Sequence, residues 1–143
     1  MLLKPNRTKF RKHHLILKKK TVKSLKRMHL SLEGISLQAK TMGFVNGSQM
    51  EAARKIIRRK IRRFKNVLRI PTIPYTSITR KPVEVRMGKG KGNVHDWVIP
   101  IRPGKVLFEI IDTNVNSITR ALYIKALKMA AKKLSVLTAV VCF

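Results

Sequence analysis

Val83-Glu84-Val85-Arg86-Met87-Gly88-Lys89-Gly90-Lys91-Gly92-Asn93, running on to His95, Trp97, Ile99 and Ile101, is the stretch on which the reading of this chain turns. Between Arg86 and Asn93, glycines alternate with lysines and no acidic residue interrupts. Without a Cβ, glycine accepts φ > 0 and lets backbone N–H groups come close to another surface. Apolar, strand-like runs lie on both sides, Val83 to Val85 before and Trp97 to Ile101 after. The pattern predicts a hairpin tip held out from a rigid base. A cationic backbone at close range suits a phosphate-rich surface.

Working outward, the whole chain shares that bias. Its 143 residues hold 33 Lys and Arg against 6 Asp and Glu, a formal charge of +27. Such self-repulsion calls for a polyanionic partner, and nucleic acid leads because each neutralised phosphate releases a counterion. An anionic membrane surface is the second polyanion. A single cysteine, Cys142, excludes an intramolecular disulfide framework and a cysteine-rich metal site. The apolar run 136–143 is far shorter than the ~20 residues that span a bilayer.

Residues 1–29 contain eleven Lys and Arg, three histidines and no acid. Such a block cannot bury itself and is expected to be an arm that orders on its partner. Phe10 offers a stacking face within it. Residues 30–143 are expected to form one domain. Leu30, Leu32, Ile35, Leu37 and Ala39 alternate with a slip at Glu33-Gly34, predicting a strand bulged at the glycine, and Gly43 with Asn46-Gly47 predicts a loop. Ser48 and Glu51 form a capping box opening a helix to about Lys65. Met50, Ala53, Ile57, Ile61 and Phe64 line its apolar face, while Arg54, Arg58, Arg59 and Arg62 stand on the basic remainder as candidate phosphate contacts.

A short strand is expected at Val67 to Ile70, then a stiff loop punctuated by Pro71, Pro74 and Pro82. Pro100 should place the strand after the glycine–lysine tip at a sheet edge or bulge. Arg102-Pro103-Gly104 predicts a turn, and the doubly apolar run from Val106 to Ile111 a central strand. A second helix is expected from about Ser117 to Leu134, capped by Asn116 or Ser117, burying Ile118, Leu122, Ala126, Met129 and Ala130 with Tyr123 and Leu127 beside them. Lys125, Lys128 and Lys132 line its opposite face, and a strand closes the chain at 136–141. The sum is an α+β fold: a mixed, mainly antiparallel sheet, two amphipathic helices, a basic arm and a projecting Gly/Lys loop.

Enzymatic readings fail on spacing. A P-loop needs Gly-Lys followed by Ser or Thr, whereas Lys89 and Lys91 are each followed by glycine. The dinucleotide fingerprint needs a glycine where Asn93 stands, and a helix where a strand follows. His13, His14, His29 and His95 show no zinc spacing, and Glu84, Asp96, Glu109 and Asp112 are too scattered for a carboxylate pair. No cofactor or metal is expected.

Several motifs together carry a resemblance. Lys4-Pro5-Asn6-Arg7-Thr8-Lys9-Phe10-Arg11-Lys12, Glu51-Ala52-Ala53-Arg54, Ile78-Thr79-Arg80-Lys81-Pro82, Val85 to Asn93 with Trp97-Val98, Arg102-Pro103-Gly104-Lys105-Val106-Leu107-Phe108-Glu109, and Ala130-Ala131-Lys132-Lys133-Leu134 occur in order. The chain resembles the bacterial-type large-subunit ribosomal protein L-sixteen family over nearly its full length. The resemblance implies an RNA-bound structural protein of the large subunit, beside the aminoacyl-tRNA site, with large-subunit rRNA, tRNA and neighbouring ribosomal proteins as partners. It implies neither a membrane role nor a homo-oligomer, and leaves peptide-bond catalysis to RNA. Carried over, Arg86, Met87, Gly88, Lys89, Gly90, Lys91, Gly92 and Asn93 are the reaching tip, and Lys4, Arg7, Thr8, Lys9, Arg11, Lys12 and His13 the arm contacts.

The lysine-rich, glycine-free segment 15–30 departs from the family, as do Met42-Gly43-Phe44, added length in the loop 71–77 and a more apolar C-terminal strand. Because the family's opening motif begins at residue 4, no cleavable presequence is expected. The lysine and isoleucine drift suits an AT-biased genome, so a mitochondrially encoded protein is the expectation, with a bacterial or plastid one as alternative. From charge alone, a sequence-nonspecific nucleic-acid chaperone or compaction protein is the competing function.

Overall fold

The computed structural model describes residues 4–15, 34–112 and 116–142. Elements follow as β1 (Gly34–Ala39), β2 (Gly43–Asn46), α1 (Gly47–Ile61), β3 (Val67–Arg69), β4 (Thr76–Arg80), β5 (Asn93–Ile101), β6 (Val106–Ile111), α2 (Ser117–Ala131) and β7 (Thr138–Cys142). The α+β class is as expected, but the strands form two sheets, ordered β3-β6-β1-β7 and β2-β5-β4. Every described pairing is antiparallel. The proposed division between residues 29 and 30 and the start of the expected first strand lie outside the described residues; at Gly34, where the bulge was expected, β1 is in register with β6, Gly34 opposite Ile111 and Ile35 opposite Ile110. The irregularity comes later, between Leu37 and Gln38, where β6 carries Leu107 as an extra residue.

The first helix begins earlier than Ser48 would have it. Asn46 is the N-cap, and its backbone N–H donates to Gln49 Oε1 at 3.1 Å. Glu51 is left to accept from Arg54 instead, at 2.7 and 2.8 Å. The segment 43–46, expected as loop, is strand β2, paired with β5 from Gly43↔Ile101 to Asn46↔Val98. At the other end the helix stops at Ile61, and Asn66 Nδ2 donates to the carbonyls of Ile61 (2.8 Å) and Phe64 (3.0 Å), satisfying groups the last turn leaves open.

Met50, Ala53, Ile57 and Ile61 are fully buried, as the spacing predicts, while Phe64 sits at the margin, edge-on to Tyr123 at 6.1 Å. The buried face of α2 is rotated from the expected one: Tyr123, Ala126, Leu127 and Ala130 are buried, and Ile118 is 81% exposed. Ile118 stands in the first turn, two residues past the Asn116 N-cap. The helices pack on each other and join Leu37, Val45, Ile99, Ile101, Leu107, Phe108 and Ile110 in one core that draws on both sheets. Tyr123 places its hydroxyl at the core's edge, donating to Asp112 Oδ2 at 2.5 Å. Burial and that carboxylate push its pKa up to about 12.

β6 is central, as predicted. β5 is central too, against the edge expected from Pro100, and the geometry shows why proline is tolerated. β4 reaches only Thr76, opposite Val98, so at Pro100 strand β5 has a neighbour on the β2 side alone. Gly104, at φ +82°, closes the turn before β6, with the Lys105 N–H donating to the Arg102 carbonyl at 3.2 Å.

Candidate nucleic-acid interface

The glycine–lysine run is a hairpin loop, but its stem is not the expected one. Val83 to Arg86 is not a strand. The stem is β4, Thr76–Arg80, inside the region expected to be proline-stiffened loop; it pairs with β5 from Thr76↔Val98 to Arg80↔Asn93. Residues 81–92 form the loop between them, and every residue from 82 to 91 is exposed. A bulge at His95, where Ile78 and Thr79 face Asp96 and Val94, adds local twist at the loop's base.

The three glycines do different things. Gly88 and Gly90 have φ +103° and +85°, with nothing within 4 Å of where a Cβ would stand; Lys89 between them is also left-handed at +53°. In the free protein these glycines serve conformation, leaving their open space to whatever docks there. Gly92 serves packing: a Cβ would lie 2.7 Å from the Arg80 carbonyl oxygen and 2.8 Å from its carbon. The tip is braced from within by Lys81 Nζ, which donates to the Gly88 carbonyl. Met87, Val83 and Val85 stand exposed on the same loop, apolar surface that only a partner would cover. A groove of about 350 Å³ at the loop's base is lined by Arg80, Lys81, Pro82, Val83, Asn93, Val94 and His95.

The arm comes to the same place. Arg11 to His13 run along the open edge of β4, where Ser77 sits fully buried. Ser77 Oγ donates to the Arg11 carbonyl (2.8 Å) and accepts from the His13 N–H (3.2 Å), while the Ser77 N–H donates to His13 Nδ1 (3.2 Å). The His13 ring stands edge-on to Trp97 at 6.1 Å. Lys12 Nζ donates to the Lys91 carbonyl at 2.9 Å, and Lys91 Nζ to the His13 carbonyl at 2.5 Å. The two segments expected separately as arm and tip thus form one surface. Lys4, Arg7, Thr8, Lys9, Arg11 and Lys12 are exposed on it, as are Arg86, Met87, Lys89 and Asn93, whereas His13 is half-buried. Lys9 lies over the exposed Phe10 ring at 5.6 Å.

On α1 and at its C-cap, Arg58, Arg59 and Arg62 are exposed, but Arg54 is paired with Glu51 at 2.7 Å and is the least available of the four. That bond holds the Glu51 carboxyl below and the Arg54 guanidinium above their ordinary pKa ranges. Sequence reasoning missed Ser77, Trp97 and Lys81 as parts of the interface. Only the alternation of Thr76, Ile78 and Arg80 signalled the strand that carries Ser77, and the flanking prolines masked it. Among the described residues, no group of three His, Cys, Asp or Glu could hold a metal, and no helix is long and apolar enough to cross a membrane.

Residues 5–141 match the family described as Ribosomal protein L16p/L10e. The chain belongs to that family. It is 43% identical over 141 residues to a large ribosomal subunit protein uL16 of Blochmanniella pennsylvanica, covering 99% of this chain and 98% of the relative. It is 42% identical to the uL16 of Aeromonas hydrophila and 43% to that of Buchnera aphidicola, each over 96% of this chain and 94% of the relative. The family match runs through the arm, the loop and both sheets, so the interface just described belongs to the family's common length.

Proposed function

We infer that this protein is a structural, non-enzymatic constituent of the large ribosomal subunit, bound to large-subunit rRNA and to neighbouring ribosomal proteins. Membership of the L16p/L10e family supports that role. One structural observation carries its finer form: Lys12 donates to the Lys91 carbonyl and Lys91 to the His13 carbonyl, which joins arm and tip into one cationic surface with no carboxylate in residues 4–15 or 86–93. Bulk neutralisation of polyanions would need no such fixed pairing, which weighs against a sequence-nonspecific chaperone. The Gly88-Lys89-Gly90 tip presents exposed backbone and one outward lysine, and its reading as a contact to the acceptor end of tRNA in the aminoacyl site rests on this shape. Arg58 and Arg59 on α1 and Arg62 at its C-cap face rRNA in the same proposal, and 30–143 is one folding domain that acts without a second copy. Its ribosome is mitochondrial by the compositional drift; a bacterial cytoplasmic ribosome is the alternative that the relatives' organisms favour.

Co-sedimentation with large subunits tests the coarse reading, and site-directed cross-linking from position 89 tests the fine one. The expected result is a cross-link to the tRNA acceptor end. Recovery solely as a free monomer would overturn the assignment, and cross-links to solvent-facing partners alone would overturn the tip's role.

A further inference from the structure

We propose that Ser77 is a positioning residue, a clasp that fixes where the basic arm leaves the domain and so holds the arm beside the loop tip. The proposal rests on the RNA-binding reading of arm and tip and adds a division of labour within it. Ser77 is fully buried on the outer edge of β4, paired with Trp97 on its inner side. An unpaired strand edge exposes amides that must find partners. The arm supplies them: the Ser77 N–H goes to His13 Nδ1, and the Ser77 hydroxyl spans Arg11 and His13 by donating to one backbone and accepting from the other. Two residues of arm backbone are thereby held by one side chain, and the His13 ring is set against Trp97.

Consequences follow for the lysines. With His13 fixed, its carbonyl receives Lys91 Nζ, and the Lys91 carbonyl receives Lys12 Nζ. Lys91 therefore turns back toward the arm and acts as a strut between arm and tip. Lys89, exposed and carried on a left-handed backbone between two glycines, is the outward cation. The chain thus divides the two lysines of its tip, Lys91 positioning and Lys89 contacting phosphate.

The test uses the full chain with Cys142→Ser and spin labels on cysteines introduced at Thr8 and Met87. The distance distribution between them should be narrow, and Ser77→Ala or His13→Ala should broaden it; His13 lies on the arm, so its variant cannot fail through the core. Binding to a large-subunit rRNA transcript should weaken by roughly three- to tenfold for Ser77→Ala, the expectation for losing one or two hydrogen bonds, with the salt dependence unchanged. Lys89→Ala should instead lower the salt slope by about one and leave the distribution narrow. An unchanged distribution in both Ser77→Ala and His13→Ala overturns the clasp. So does a Ser77→Ala variant whose salt slope falls as though a phosphate contact had been lost. If the parent chain binds no rRNA, the RNA reading fails, while the distance measurement still decides the clasp.

Discussion

Gly92 and Gly90 are two residues apart in one loop, yet the structure predicts different consequences for replacing them. At Gly92 a Cβ would stand 2.7 Å from the Arg80 carbonyl oxygen and 2.8 Å from its carbon, backbone atoms of the paired strand's last residue. Ordinary contact begins near 3.4 Å, so the two strand ends must part by more than half an ångström, and overpacking of this kind costs about 1–3 kcal/mol. At Gly90 no atom lies within 4 Å, and the cost is conformational, since φ is +85°. That strain of about 1–2 kcal/mol is offset by some 0.4–1 kcal/mol from the stiffer unfolded chain, leaving a net loss of at most about 1.6 kcal/mol. With about 2–4 °C per kcal/mol for a domain of this size, Gly92→Ala should lower Tm by about 2–12 °C and Gly90→Ala by less than about 6 °C. Calorimetry on the purified chain measures both. The order should invert for binding, where Gly90→Ala intrudes on open space at the tip. A Gly92→Ala protein that melts within 1 °C of the parent, with Gly90→Ala clearly less stable, would refute the division between packing and conformational glycines.

Ile57→Ala, in the fully buried face of α1, should cost about 2–4 kcal/mol, whereas Ile118→Ala should stay within about 0.5 kcal/mol, as denaturant titration would show. Tyr123 keeps its proton in the folded state up to about pH 12, above its unfolded value near 10, so the unfolded chain releases a proton first and stability falls as pH rises between those values. By pH 12 this contributes a loss on the order of 2–3 kcal/mol, and Tyr123→Phe should remove that part of the alkaline decline seen in unfolding at several pH values. Among the α1 cations, Arg58→Ala should lower the salt slope of rRNA binding by about one, while Arg54→Ala, already paired with Glu51, should change it less.

Elements whose burial follows their own periodicity were legible in the sequence. Met50, Ala53, Ile57 and Ile61 announced α1, the doubly apolar run of β6 announced a central strand, and the acid-free glycine–lysine run announced an exposed tip. What misled was local chemistry answered by tertiary partners. Three prolines around Thr76–Arg80 hid the strand that forms the stem, because proline's preference for loops outweighs a five-residue alternation in any local window. Glu51 suited a capping box, but Gln49 reaches the N-cap and Glu51 pairs with Arg54. Ile118 matched helical spacing and stands in solvent. Of the site, the exposed cations were readable because charge without acid cannot be buried. The bonds that bring them together, Ser77 to the arm and Lys12 to Lys91, span more than sixty residues and leave no local signal.

The central claim is that arm and loop act as one RNA-facing unit, and a density map of the large subunit carrying this protein tests it most directly. That map should show residues 4–13 lying beside 86–93 with the Ser77 clasp closed, Lys89 within hydrogen-bond reach of RNA phosphate and Lys91 turned to the arm. A map in which the arm departs from β4 along a separate path, or in which the Gly88-Lys89-Gly90 tip faces solvent, would contradict it.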